Sequence, residues 1–410
     1  MKKVFKLFLC LIGLAFLFLS IWSAVNLWPR KMEPALWTEA DLNLPEEKDK
    51  NGYHFLMALK DDPEWKEINN LDLPESLEPL YILSFPASES EVAHYWDEAR
   101  KLAAPLSAFV HEKEKALQKY QTLLDFPQFV NQDPISDSKP KAPWLFFMES
   151  HRAGLLFMAD RVVSGDVKTA DETWLKMFQQ DQSAVRSARN FISYFTALKN
   201  LKDDLTELAY LRAFPAPLDL QGKIEQALHD FDPEKIEVRR ALISEYVFQL
   251  NFSDTISQAS LKGKERGYQM IFNRALFMRD TNDFFRRLEA LTKDPKAITD
   301  LTEKNFEQEI QDLDRGHFWW FYNPLGKLLR KLMTISPVHY IREFYEQKEA
   351  VTKLKTQLLA LTPLFPPPPP ETAPAESQSA ESRPEGAETK HAPESHPAVP
   401  SAENPSPLPP

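Results

Sequence analysis

The sequence predicts an all-α protein: an N-terminal transmembrane helix, an irregular multi-helix array of α-solenoid-like hairpins, and a disordered proline-rich tail. Three observations carry this reading. Apolar residues recur at three- and four-residue spacing through the middle of the chain, whereas strict alternation is scarce. Only 10 glycines occur in 410 residues, and most stand between the periodic stretches. Residues 7–28, LFLCLIGLAFLFLSIWSAVNLW, contain no charge.

The uncharged run comes first in order. As a helix it would rise about 33 Å, enough to cross a hydrocarbon core of about 30 Å. Lys2, Lys3 and Lys6 precede it within a basic end at residues 1–6. This bias favours a cytoplasmic N-terminus, and Trp22 and Trp28 would sit at the far headgroup level. The run exceeds the apolar core of a cleavable signal and lacks a clear small-x-small cleavage site, so a retained anchor is expected. Cys10 is the single cysteine in the chain and lies inside this run. The remainder therefore has no disulfide and no cysteine metal site.

Residues 29–87 are punctuated by prolines at 29, 34, 45, 63, 74, 79 and 86 and form a lead-in with a short helix near 52–60. The helical ectodomain is expected over 88–362. Ser88 and Glu91 have capping-box spacing for a long helix running to Leu124 with a kink at Pro105. Trp144–Val163 reads as a helix, ended by Ser164-Gly165-Asp166 and followed by a second helix carrying Trp174, Met177 and Phe178. Further helices are expected at 183–201, at 205–211 after a break at Asp203-Asp204, and at 221–229, 233–250, 265–279, 281–291 and 298–313. Leu325–Met333 and Pro337–Leu361 close the folded part. No fixed repeat period is visible, which excludes the regular repeat families. The tail, 363–410, begins with an unbroken proline run at 366–370 and has too little apolar surface to offset its ordering cost.

The search for chemistry finds no nucleophile elbow, phosphate-binding glycine loop, dinucleotide fingerprint or HExxH helix. Glu149, His151, Arg152, Asp160 and Arg161 fall on one predicted helix, where Glu149 and Arg152 have the spacing of a surface ion pair. His111 and Glu114 are three apart, the spacing of helical metal bundles, but no second segment of that kind supports them, so a solvated face is expected. The densest unusual composition is Phe318, Trp319, Trp320, Phe321 and Tyr322, taken as core packing or as a partner-contact patch. The formal net charge of −11 repels phosphate and argues against nucleic-acid binding.

On these grounds the expected function is a membrane-tethered, non-catalytic helical scaffold or interaction protein of the bacterial cell envelope. It would be single-pass in the inner membrane through residues 7–28, with its C-terminal bulk in the periplasm. Envelope proteins, and a proline-recognising partner for the tail, would be its partners. No cofactor and no metal are expected. The alternative is a membrane-anchored extracytoplasmic enzyme, a hydrolase, whose site assembles from residues distant in sequence.

Overall fold

The protein's structure is a computed structural model that describes residues 2–27, 31–133, 135, 142–214, 218–261, 272–293 and 324–360. Among these residues the fold is all-α. No strand occurs, and the one isolated bridge pairs Asn51 with Gln128.

Helix α1 spans Lys2–Leu27. Leu11, Leu14, Phe16 and Leu17 on it are each more than half exposed. The expected membrane span does not hold. Among the described residues, no helix is long and apolar enough to cross a membrane. The transmembrane anchor at 7–28, the single-pass inner-membrane topology with a periplasmic bulk, and the membrane as a partner are therefore not supported.

The lead-in lies against the body through specific contacts. Trp37 is wedged edge-on between Tyr246 (5.5 Å) and Phe285 (6.2 Å). The Leu36 amide donates to the Tyr246 hydroxyl at 2.7 Å. Helix α2 (Gly52–Ala58) is capped by Asn51, whose side chain also pairs with the Val130 amide and carbonyl, both at 2.8 Å. This is a side chain standing in for a neighbouring strand, and it leaves the buried backbone at Val130 satisfied. A short helix α3 (Trp65–Ile68) comes next.

The long helix expected over 88–124 is instead three: α4 (Glu89–Lys101), α5 (Ala103–Glu112) and α6 (Glu114–Leu124). Pro105 occupies the first turn of α5, where a missing N–H has no intrahelical partner to lose. The chain therefore breaks before this proline at Leu102, instead of bending around it. Ser88 caps α4 as expected, accepting from the Glu91 amide.

Helix α7 (Trp144–Val163) is the centre of the molecule, contacted by α4, α5, α6, α8 and α9. Because it is surrounded, its sequence is apolar nearly all round. Its start is fixed by Asp133, whose carboxylate accepts from the Tyr53 hydroxyl, the Ala142 amide and the Trp144 indole at 2.9–3.0 Å. Its end is fixed by Gly165 at φ +89°, with the Gly165 and Asp166 amides returning to the Val162 and Arg161 carbonyls. That left-handed residue suits glycine. Asp166 then caps α8 (Val167–Ser187) by accepting from the Thr169 amide.

Helix α9 (Phe191–Leu211) begins at Asn190, which accepts from Ser193 in a reciprocal cap. It runs unbroken through Asp203-Asp204, where a break was expected. Helices α10 (Leu218–Asp230), α11 (Arg239–Leu261) and α12 (Arg274–Leu291) come after it. The last helix, α13 (Pro324–Ala360), continues through Pro337, where two helices were expected. Its Tyr340 and Phe344 rings meet Phe191 (4.7 Å) and Tyr194 (5.2 Å) on α9. The expected helix over 298–313 lies outside the described residues.

The expected solenoid-like array gives way to a closed packing. In a solenoid each hairpin touches only its neighbours in sequence. Here α13 packs on α9, α11 and α12, and the turn at Glu39–Leu42 packs on α11.

Gly154 on α7 faces Met177 on α8 and Tyr120 on α6. A Cβ there would lie 3.0 Å from the Met177 sulfur and 3.0 Å from the Tyr120 ring. Gly154→Val should therefore destabilise the fold by about 1–3 kcal/mol. Urea unfolding checks this, and an unchanged midpoint would show that the contact is slack.

Candidate metal centre

Charged side chains seldom sit fully buried without a partner. In this chain three ionisable side chains are fully buried together where α7, α8 and α9 meet. His151 on α7, Asp181 on α8 and Asp204 on α9 are 0–1% exposed. His151 Nε2 and Asp204 Oδ1 share a hydrogen bond at 2.9 Å, and Nε2 lies 3.4 Å from Asp181 Oδ2. The three donor atoms all lie within 4.8 Å of one another.

Local sequence explains how each residue arrives there. Asp204 shares the buried stripe of α9 with Leu201, Leu205 and Leu208. Asp181 occupies the same face of α8 as Met177, Phe178, Ala184 and Val185. His151 lies between Phe147 and Leu155 on α7. Helical periodicity directs all three inward. Neighbours then aim the groups. Asn200 Nδ2 donates to Asp181 Oδ1 at 3.3 Å, turning Oδ2 towards the imidazole. The Trp174 indole donates to the Asp204 main-chain oxygen at 2.7 Å and fixes the backbone behind it.

The hydrogen-bonding capacity of this cluster is not used up. His151 Nδ1, Asp181 Oδ2 and Asp204 Oδ2 have no hydrogen-bond partner while both acids are ionised, and a proton held on one acid joins Asp181 to Asp204. Leaving such atoms unmatched costs about 1–3 kcal/mol each, more when charged. Burial pushes the Asp181 carboxyl well above the usual range, and the nearby Asp204 charge pushes it further. Burial likewise raises Asp204 and lowers His151. The protein thus resists placing net charge here unless a cation balances it.

A divalent ion would do so. Two carboxylates and a neutral imidazole carry a charge of −2. The 2.9 and 3.4 Å separations fit neighbouring ligand atoms around an ion with bonds of about 2.0–2.2 Å. One nitrogen and two oxygens suit zinc, iron, manganese or cobalt. General acid–base chemistry by the triad alone fits less well, because a base must come within hydrogen-bond reach of the group it deprotonates. In this closed state no substrate atom from solvent could approach it.

The expectation of a chain without a catalytic or metal cluster does not hold. The membrane-tethered, non-catalytic scaffold loses both of its supports, since the described residues contain no spanning helix and do contain this triad. Of the residues that the sequence points to, Glu149 and Arg152 form a partly exposed pair at 3.7 Å, and His111 and Glu114 stand 4.0 Å apart in solvent. His151 parts from its sequence neighbours and joins residues on two other helices. Sequence reasoning misses Asp181 and Asp204. The signal that could have found them is a carboxylate on the apolar stripe of each helix. Phe318, Trp319, Trp320, Phe321 and Tyr322 lie outside the described residues. Comparison with known proteins adds no relative: no family model, no curated protein and no solved structure matches this chain.

Two further buried carboxyls have no hydrogen-bond partner, Glu207 one turn from Asp204 on α9 and Asp171 near the start of α8. Burial and the Asp204 charge push Glu207 up to about 8, and burial pushes Asp171 up to about 7. Both groups hold their protons in the folded state over a range where the unfolded chain has lost them. Stability should then fall as pH rises from the ordinary carboxylate range to about 8, at up to about 1.4 kcal/mol per pH unit for each group. Glu207→Gln should flatten this decline between pH 5 and 8 when unfolding is measured with a chelator present. An unaltered slope would show that Glu207 ionises freely.

Proposed function

We propose that this chain is a metal-binding protein whose helical body holds one divalent first-row ion at His151, Asp181 and Asp204. The supporting observation is the convergence of one imidazole nitrogen and two carboxylates, fully buried, with oxygen atoms left unmatched. An ion bound there would cross-link α7, α8 and α9 at their common contact and stabilise the fold by mass action.

A second reading is a hydrolase that uses the same ion. Three protein ligands leave coordination positions for water, and a bound divalent ion brings that water's pKa towards neutrality. Aspartate and histidine would hold the ion, and opening of the surrounding helices would admit substrate. Glu149 and Arg152, on the partly exposed side of α7, take no part in this.

Equilibrium dialysis with cobalt(II) or zinc(II) should give one equivalent bound per chain. Asp181→Asn and Asp204→Asn should each weaken uptake by at least about tenfold. Uptake should also weaken as pH falls, because the raised carboxyls must release protons to bind an ion. Uptake that is absent, or equal in the asparagine variants, would refute the metal centre. For the hydrolase reading, turnover of chromogenic phosphate and carboxylic esters should need the ion and vanish in Asp204→Asn. A loaded protein that turns over none of them remains an ion-stabilised fold.

A further inference from the structure

We infer that Tyr120 is the fourth group of the His151–Asp181–Asp204 centre, its hydroxyl donating a hydrogen bond to a water or hydroxide carried by the ion. This deepens the metal-centre reading and rests on it.

Tyr120 lies on α6, which packs against both α7 and α8. It is fully buried, and its hydroxyl has no hydrogen-bond partner. Its ring edge faces Gly154 on α7 and the approach to Met177 on α8, because a Cβ on Gly154 would stand 3.0 Å from Tyr120 Cε1 and from the Met177 sulfur. The two helices are antiparallel, joined by the tight turn at Gly165. One turn back from Gly154 is His151, and one turn on from Met177 is Asp181. Both steps lead in the same direction, so the ring stands one helical turn from the ligands. The absence of a side chain at Gly154 admits the ring at this level.

Electrostatics agree with the placement. Burial first, then the Asp181 and Asp204 charges, hold the Tyr120 phenol well above its ordinary range. A phenol of even ordinary acidity is a protonated donor at neutral pH. Oxygens on an ion held by these two carboxylates are the acceptors that this buried phenol otherwise lacks. A phenol needs no partner merely to fill space, since phenylalanine would occupy the same volume with no orphaned oxygen.

The test compares wild type with Tyr120→Phe, using cobalt(II) as the probe and its visible bands as the readout. Tyr120→Phe should still bind one equivalent, with the dissociation constant raised about five- to tenfold. In the metal-free state Tyr120→Phe should melt at the same temperature as wild type or higher, because it removes an unmatched hydroxyl. The increase in melting temperature conferred by cobalt should be smaller in the variant. A purely structural tyrosine would leave the cobalt dissociation constant unchanged, and that result overturns the inference. Complete loss of cobalt binding in Tyr120→Phe also overturns it, by making the oxygen a direct ligand. Failure of the wild type to bind cobalt defeats the metal centre itself, whereas binding that ignores Tyr120 defeats only its assigned role.

Discussion

Two carboxyl groups and an imidazole are forced together where three central helices cross, and much of the surrounding structure serves to keep them there. Burial alone would expel them or protonate them. Their retention requires fixed backbone levels on α7, α8 and α9, and the neighbours supply these. Asn200 turns one carboxyl, Trp174 fixes the chain behind another, and Asn190 sets where α9 begins. The helices outside this trio then act as walls. Helices α4 to α6 close one side, and α13 lays its aromatic stripe on α9.

The centre also shows how polar groups are tolerated inside an α-helical core. Asp133 represents the ordinary solution, since three donors surround its carboxylate and leave it matched. Asp181, Asp204 and Glu207 represent the other, with oxygens left unmatched and protons held by desolvation. The contrast between these two environments in one core separates a structural carboxylate from a candidate ligand. Burial alone does not separate them, because all four are nearly inaccessible.

Much of the architecture was legible in the sequence, and the gaps have physical causes. The all-α class and the span Trp144–Val163 come from spacing, because α7 is long and its turn at Gly165 is strongly marked. Boundaries are lost where tertiary contacts override local signals. The Asp203-Asp204 pair resembles a helix break in isolation, yet His151 accepts one of these acids into the core and the helix runs on. Pro105 suggests a kink but finds a place in a first turn. The site itself was half legible. His151 is visible, but helical spacing points only to partners on its own helix, whereas its partners come from segments roughly 30 and 53 residues away. No periodicity within one helix encodes which neighbour faces it. The uncharged N-terminal run shows the opposite failure, in which a strong local pattern promises a complete membrane span that the described helix does not supply.

The left-handed glycine between α7 and α8 has a consequence for how this chain can diverge. Surface turns usually absorb insertions with little effect. This one ends α7 and caps α8 within three residues, and a residue added inside α8, between the Asp166 cap and Asp181, would turn Asp181 by about 100° about the helix axis. Asp181 would then swing away from the imidazole. The spacing from the Asp166 cap to Asp181 is thus constrained by chemistry that lies several turns away, and a chain that kept all three ligands could still lose the site by gaining a single residue between them.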